Sequence, residues 1–536
     1  MSPKVLVTDP IHEEGLRILQ AHAEVDTRPG LSPKQLLEVI GDYDALVVRS
    51  ETKVNAAVIE AGKRLQVIGR AGTGVDNIDV EAATRRGIVV VNAPTANTIS
   101  ATEHTLALML ALCRHIPQAH SLLREGVWRR ADFMGVELRG KTLGVVGLGN
   151  VGSALARRAV GLEMQVIAYD PYISEEYAKR FQVKLVSLEE ILRTADFISL
   201  HLPLNESTQG LIGERELRLV KPTVRIINAA RGGLVDEVAL FRALEEGRVA
   251  GAAMDVFTVE PAKDNILFKS DKVIVTPHIA ASTAEAQASV SVDAAEQVVA
   301  VLQGKPARYA VNAPFIPADL FPVLGPFVPL GMALGRLASQ LVEEHMSALH
   351  LKYEGEIGAY DPSALRAAVL GGLLERVSLE RVNLVNANML AQKRGLRIIE
   401  EKGGSAEPYP SLLTAQAITS TGQTLVAGTV IRGEPHIVRV NQFWLDIVPT
   451  GGYFLFCDHR DRPGLIGAVG TITGKMDINI HSMQLLRLLA PGPGPDGPGA
   501  GRAPGRGAAP SGPGHPRYPY CPAGKAVARL LSNPSP

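Results

Sequence analysis

The chain predicts an α/β protein built on parallel sheets, and three observations carry that expectation. Short apolar runs, most of them carrying β-branched residues, recur at 5–7, 45–48, 67–69 and 88–91, and again at 197–200, 224–227, 251–254 and 273–275. Continuous apolar runs of this length are the pattern of strands buried on both faces. Helical patterns separate them, for example at 13–21 and 33–40, where Ser32 before Pro33 makes a sound N-cap. The third observation is the segment 143–170, LGVVGLGNVGSALARRAVGLEMQVIAYD, in which a strand runs into Gly147-Leu148-Gly149-Asn150-Val151-Gly152, then a helix, then a strand ending at Asp170.

That segment is G-x-G-x-x-G in the setting a dinucleotide site needs. Gly147 allows the tight turn, Gly149 lets the backbone approach a pyrophosphate, and Gly152 lets the helix pack close to the strand. The pyrophosphate is expected against the free N–H groups at the helix N-terminus. Asp170 accepts from both ribose hydroxyls and repels a 2′-phosphate, and Pro171 follows it rather than an arginine, so the expected cofactor is NAD and not NADP.

Composition narrows the function classes. At 536 residues the chain is too long for one core. Its formal net charge is zero, which gives no electrostatic case for nucleic acid or for an anionic membrane. Cys113, Cys457 and Cys521 show no pairing or metal spacing, so no metal is expected and a reducing cytosol suits them. The opening MSPKVLVTDP runs straight into a strand and does not read as a signal peptide, and no apolar run reads as long enough to span a membrane. The expected location is the cytoplasm.

The patterns divide the chain. Residues 1–97 read as one α/β domain, 98–280 as a dinucleotide-binding domain inserted behind it, and 281–311 as a helix returning to the first. A Pro-rich stretch opens the next region, 312–449, where helix, strand, two helices and a set of alternating strands (412–447) suggest a separate α+β domain. Residues 450–489 read strand, helix, strand, with the second strand at 478–486. From 490 to 536 the Gly/Pro-rich composition cannot fold by burial.

Chemistry is expected where parallel strands end, because ligands of open α/β sheets bind outside the strand C-termini. Four segments stand there: His201-Leu202-Pro203-Leu204, Asn228 to Gly233, Asp255 to Pro261, and Pro277 to Ala281. They bring Arg231, Glu260 and His278 toward the nicotinamide end of the crevice. Oxidising a secondary alcohol requires a base for the hydroxyl proton as hydride leaves the carbon. Histidine is the side chain that ordinarily titrates nearest neutrality, and His278 takes that role. Glu260 can orient the imidazole and stabilise the imidazolium, and Arg231 can grip a carboxylate. Taken singly, each has a plain structural reading: a turn cap, a solvated loop acid, a core histidine. It is their placement at successive strand ends beside a nucleotide motif that favours catalysis.

The stretches RAGTGVDNID, GLGNVG, ARGGLVDE, AAMDVFTVEP and TPHIAASTAEAQ resemble the D-isomer-specific 2-hydroxyacid dehydrogenases, most closely the long-form members that oxidise 3-phosphoglycerate. The resemblance covers residues 1 to about 487 and is most specific in the first 310. It implies His278 as acid/base, Glu260 as its partner and Arg231 on the substrate. It implies NAD contacts from Thr73, Asn150, Val151, Asp170, Ala229, Ala230, Arg231, Asp255, His278 and the following loop at Ala281. Leu202 departs from the hydroxyl residue common there, which leaves only a backbone contact. Arg49 and Ser50 match the position that grips the substrate phosphate, Arg70 and Gly72 offer a guanidinium and backbone N–H groups, and Asn97 matches a substrate contact at the hinge. Arg129 and Arg130 fit either a site across a dimer or a surface role.

The resemblance makes 312–449 the intervening domain of long-form members and 450–489 the start of an ACT domain, a ferredoxin-like module that binds amino acids. His459, Asp461 and Asn479 then match contacts to an effector serine. The missing remainder of that module leads to the expectation of weak serine inhibition. For the tail, a shifted reading frame near Leu486 and a natural disordered segment both fit. A homodimer or homotetramer is implied, with the apolar helix at 101–114 in the contact. Competing functions are a hydroxypyruvate/glyoxylate reductase or D-lactate dehydrogenase on the same scaffold, and a non-catalytic NAD-sensing corepressor-like protein.

Overall fold

A computed structural model of the chain describes residues 2–317, 319–342, 345–378, 380–449, 453–457, 463–486 and 530–531. Two compact units emerge, residues 1–79 with 90–309, and residues 80–89 with 310–536.

The first unit holds two parallel sheets. In the first sheet the order is Glu24–Thr27, Lys4–Val7, Ala45–Val48, Val67–Arg70, Val89–Val91. The order reverses between Lys4–Val7 and Ala45–Val48, which makes their C-terminal ends a ligand crevice. The edge strand Glu24–Thr27 is an addition to the sequence reading. Its EVDT has no apolar run, because an edge strand is half-solvated and only its two central residues are partly covered.

The second sheet has seven strands, in the order Val273–Val275, Gly251–Met254, Arg225–Asn228, Phe197–Leu200, Thr142–Val146, Gln165–Tyr169, Lys184–Leu185. All pair in parallel, and the order reverses between Phe197–Leu200 and Thr142–Val146. This is the doubly wound dinucleotide-binding arrangement. The helix Thr98–Cys113 packs beneath this sheet with Leu108, Met109 and Leu112 buried. The helix Ala284–Leu302 returns to the first sheet, where His12 N–H donates to Ser291 Oγ at 3.0 Å and Gln297 Nε2 donates to Asn92 O at 2.8 Å. The structure thus has the two Rossmann-like halves that the strand pattern predicts.

In the second unit a six-stranded mixed sheet runs Arg397–Lys402, Met346–Gly355, Ser411–Thr419, Gln423–Ile431, Glu434–Val440, Phe443–Ile447. Arg397–Lys402, absent from the sequence reading, lies parallel to Met346–Gly355 at an edge, and its outer residues are solvated. Phe327–Leu341 and Ser363–Leu374 cover the sheet, burying Leu330, Leu334, Leu337, Leu365, Val369 and Leu370. The helical stretch Phe321–Leu341 is 21 residues long and apolar enough to cross a membrane by length and composition, contrary to the sequence reading. Half of its apolar window is buried inside the unit, as in a core helix.

Beyond 449 the helix Leu465–Lys475 forms as expected, but the strand expected at 478–486 does not. That segment carries no ladder, and its Gln484 side chain bonds the backbone of Asp446 instead. His459 and Asp461, and all of the Gly/Pro-rich tail but residues 530–531, lie outside the described residues.

The two covering helices touch backbone to backbone. A Cβ built on Gly335 lands on the Val369 carbonyl oxygen, and one built on Gly372 lands on that of Met332. Gly335→Ala must push the helices apart, and overpacking of this kind costs roughly 1–3 kcal/mol. A lower melting temperature for the second unit, with NADH affinity of the first unit kept, is the expected result; an unchanged melt would show that the contact is loose.

Candidate active site

The glycine motif follows Thr142–Val146 and opens the helix Asn150–Gly161. Gly147 adopts φ 98°, a left-handed region where a side chain is strained. A Cβ on Gly152 would strike the Gly147 carbonyl oxygen, so the helix can approach only as glycine. Beside Gly149 there is open space, and its helix N-terminus has no side-chain cap. Asn150 is exposed and Val151 partly covered at that terminus. These features fit a pyrophosphate against free N–H groups. Asp170 closes the neighbouring strand; its Oδ2 accepts from Leu148 N–H and its Oδ1 from Tyr172 N–H, both at 2.9 Å, which fixes the carboxylate beside the glycine turn.

At the far end of the sheet three loops meet. His278 Nδ1 lies 2.7 Å from Glu260 Oε2, and Phe257 N–H donates to Glu260 Oε1 at 3.0 Å. Burial opposes charge on Glu260, but the bonds from His278 and Phe257 outweigh it and hold the carboxyl below the usual carboxylate range. The pair is partly open to solvent. His278 itself is left-handed, φ 53°. Arg231 leaves the Asn228–Gly233 loop, whose turn is held by Asn228: its Nδ2 donates to Arg231 O at 2.8 Å and its Oδ1 accepts from Ala230 N–H at 3.1 Å. Arg231 Nε pairs with Asp76 Oδ2 at 3.2 Å, across to the loop after Val67–Arg70. Ala229, Ala230 and Ala281 are partly exposed on these loops.

Asp255 is different from the other expected cofactor residues. It is fully buried, and its carboxylate is committed to Thr276, Ile279 and Ala280, with His104 at 3.3 Å. Burial disfavours its charge, but these bonds prevail and hold it below the usual range.

At the rim of the first sheet Arg49 and Arg70 lie near Arg231 of the second, with Asp76 and Asp9 close by. Asp9 follows Lys4–Val7; its Oδ2 accepts from Arg49 N–H at 2.6 Å and Thr52 N–H at 3.2 Å, shaping the Arg49–Ser50 turn. Arg70 lies over Gly72, where a Cβ would strike its guanidinium. Burial, then the nearby Arg231 charge, pulls Arg70 down to about 10, with Asp76 opposing. The Nε atoms of Arg49 and Arg70 are buried and, among the described residues, have no hydrogen-bond partner. Thr73 Oγ1 donates to Asn97 Oδ1 at 2.7 Å, tying this loop to the start of Thr98–Cys113. Arg129 pairs with Asp132 at the surface, 3.5 Å away. Ser50 and Asn479 are exposed, with Asn479 on no strand.

Sequence reasoning missed Asp9, Asp76 and His104. Asp9 stands at a strand end on a switch point, a signal available in the sequence. Asp76 lies within RAGTGVDNID. His104 has no signal, because a polar residue in an apolar helix announces its partner only after folding.

Residues 106–280 match the NAD-binding domain of the D-isomer-specific 2-hydroxyacid dehydrogenases, and residues 323–441 match the D-3-phosphoglycerate dehydrogenase intervening domain. D-3-phosphoglycerate dehydrogenase from Synechocystis is 46% identical over 91% of this chain and 88% of its own length. The enzyme of that name from Archaeoglobus fulgidus is 45% identical over 90% of this chain and 91% of its own. Among solved structures, a glyoxylate reductase from Paecilomyes thermophila is 31% identical, with a TM-score of 0.54, over 58% of this chain and 98% of that one.

The Asp255 carboxyl, depressed in the folded state, contributes stability that is present above its ordinary value of about 3.9 and is lost as pH falls through its lower folded value. Asp255→Asn removes that contribution. The gap in melting temperature between wild type and variant should therefore be widest near neutrality and narrow below about pH 4; a gap independent of pH would mean that the carboxylate charge contributes nothing.

Proposed function

The chain belongs to the D-3-phosphoglycerate dehydrogenase branch of the D-isomer-specific 2-hydroxyacid dehydrogenases, and from that premise we propose which residues carry the reaction. The reaction is the NAD-dependent oxidation of D-3-phosphoglycerate to 3-phosphohydroxypyruvate, the first step of L-serine biosynthesis. The observation that carries the assignment of roles is the His278–Glu260 contact at 2.7 Å, placed at strand ends near Arg49, Arg70 and Arg231.

Gly147, Gly149, Asn150, Val151 and Gly152 hold the pyrophosphate, Asp170 the ribose, and Thr73, the Ala229–Arg231 turn and the His278–Ala281 turn the nicotinamide end. Asp255 serves that end by fixing the turn. Bound NAD supplies a hydride acceptor. His278 receives the substrate hydroxyl proton at Nε2, the nitrogen left free by Glu260. Glu260 stays ionised, keeps the proton on Nδ1 and stabilises the imidazolium. Arg231 grips the substrate carboxylate and favours the forming carbonyl. Arg49, Ser50 and Arg70 with the Gly72 backbone take the phosphate, and Asn97 closes the hinge side.

The domain reading follows: residues 1–97 with 281–311 bind substrate, 98–280 bind NAD, 312–449 are the intervening domain, and 450–489 are a partial ACT domain. A cytoplasmic homodimer or homotetramer is the proposed state. Glyoxylate or D-lactate chemistry on the same scaffold gives no use for Arg49 and Arg70. A corepressor-like sensor gives none for an exposed His278–Glu260 pair.

Arg49→Ala should raise KM for 3-phosphoglycerate about 10- to 100-fold, since a charge-assisted contact contributes roughly 1.5–3 kcal/mol. KM for D-lactate or glycerate, measured in the same NAD-reduction assay, should barely move. Equal losses on all three substrates would make Arg49 structural, and a wild type that prefers D-lactate or glycerate would sink the assigned substrate.

Serine should bind weakly or not at all, because an effector site shared by paired ACT sheets needs the strand that 478–486 does not form. Calorimetry decides: micromolar serine binding would mean that the site forms without it.

A further inference from the structure

The turn that carries His278 is held from behind. Asp255 O accepts from His278 N–H at 2.8 Å, Asp255 Oδ1 accepts from Ile279 N–H at 2.9 Å, and Asp255 Oδ2 accepts from Ala280 N–H at 2.9 Å. Three successive backbone donors thus end on one residue. They enforce a left-handed histidine, φ 53°, a conformation that persists only where its surroundings over-determine it.

Asp255 has no solvent of its own. A buried carboxylate keeps its charge only if donors replace water. Among the described residues, the one ionisable side chain within ion-pair distance is His104, whose Nε2 lies 3.3 Å from Asp255 Oδ1. The same Nε2 lies 3.3 Å from Thr276 Oγ1, and the Thr276 hydroxyl itself donates to Asp255 Oδ1 at 2.6 Å. One N–H therefore braces both members of the pair that anchors the turn. His104 comes from Thr98–Cys113, an element with no other part in the chemistry at His278, and it is mostly covered.

We infer that His104 is a positioning residue for the dehydrogenase reaction: it fixes Asp255 and Thr276, and through them the turn that aims His278 at Glu260. The inference rests on the reading of His278 as the base. His104 also belongs to the helix whose N-cap, Asn97, accepts from Thr73 on the substrate side. Seven residues, about 10 Å of helix, separate the two contacts. The same rigid element therefore touches the substrate loop at one end and the anchor of the base further along.

The test uses the full chain. His104→Leu should lower kcat for 3-phosphoglycerate oxidation about 10- to 100-fold, the scale expected when a catalytic group is displaced by about 1 Å. KM and the NADH dissociation constant should stay within about twofold of wild type, because no binding contact is removed. His104→Gln retains an N–H where Nε2 stood and should return kcat to within about threefold of wild type. Thr276→Val, which removes the hydroxyl and keeps the shape, should lower kcat in the same selective way. His278→Ala is run beside them. Normal turnover by His278→Ala overturns the base assignment itself. An inactive His278→Ala beside a His104→Leu enzyme of normal kcat overturns the His104 inference alone. So does a loss in His104→Leu that glutamine fails to repair, or one that comes with an equal loss of NADH affinity and a lower melting temperature.

Discussion

Everything at the candidate site depends on the register of three parallel strand pairs. Leu200 stands opposite Asn228, Asn228 opposite Met254, and Met254 opposite Val275. The strands end level, so the residues that follow them emerge on one rim. Three strands then bring Arg231, Glu260 and His278, within a few residues of their ends, to one rim. A slip of one residue in any strand would turn its side chains to the other face and move one member of the set off the rim. Right-handed crossovers place every connecting helix on a face of the sheet, which leaves the rim open to ligand.

The acidic residues around that rim divide by exposure, and the division sets what each can do. Asp255, without solvent, is held charged by donors from its own turn and by His104, and its effect is on backbone geometry. Glu260, partly solvated, faces the His278 imidazole. Asp9, nearly buried at the other switch point, receives backbone N–H groups and shapes the Arg49 turn. For Asp255 and Glu260, burial works against the charge and the hydrogen bonds outweigh it. Each carboxylate therefore makes its loop costly to rearrange.

How much of this the sequence reveals follows from how each signal arises. The buried strands and the glycine turn are legible, because burial on both faces and a left-handed φ each restrict the residue types allowed. Arg231, Glu260 and His278 are legible because they lie within a few residues of such strands. The edge strands Glu24–Thr27 and Arg397–Lys402 are not, since a solvated edge accepts almost any residue. His104 is hidden for another reason: its partner lies about 150 residues away in sequence, and no local pattern encodes that distance. The strand expected at 478–486 does not form: an apolar alternation gives a ladder only where it finds a partner, and Phe454–Leu455 pairs instead with Leu530–Leu531.

The arginine cluster shows how the site is prepared for an anionic substrate. Arg231 is held by Asp76, whose side chain is 67% exposed. An ion pair with so solvated a partner is worth little, on the order of 0–1 kcal/mol. A substrate carboxylate entering the crevice competes with Asp76 on good terms, since it meets Arg231 together with the other cations and away from water. Arg49 and Arg70 are less well satisfied, since among the described residues their buried Nε atoms have no hydrogen-bond partner. Arg70 shows the cost of that arrangement, since burial and the neighbouring Arg231 charge draw it down to about 10. An anion placed among these groups relieves repulsion and supplies the absent acceptors together.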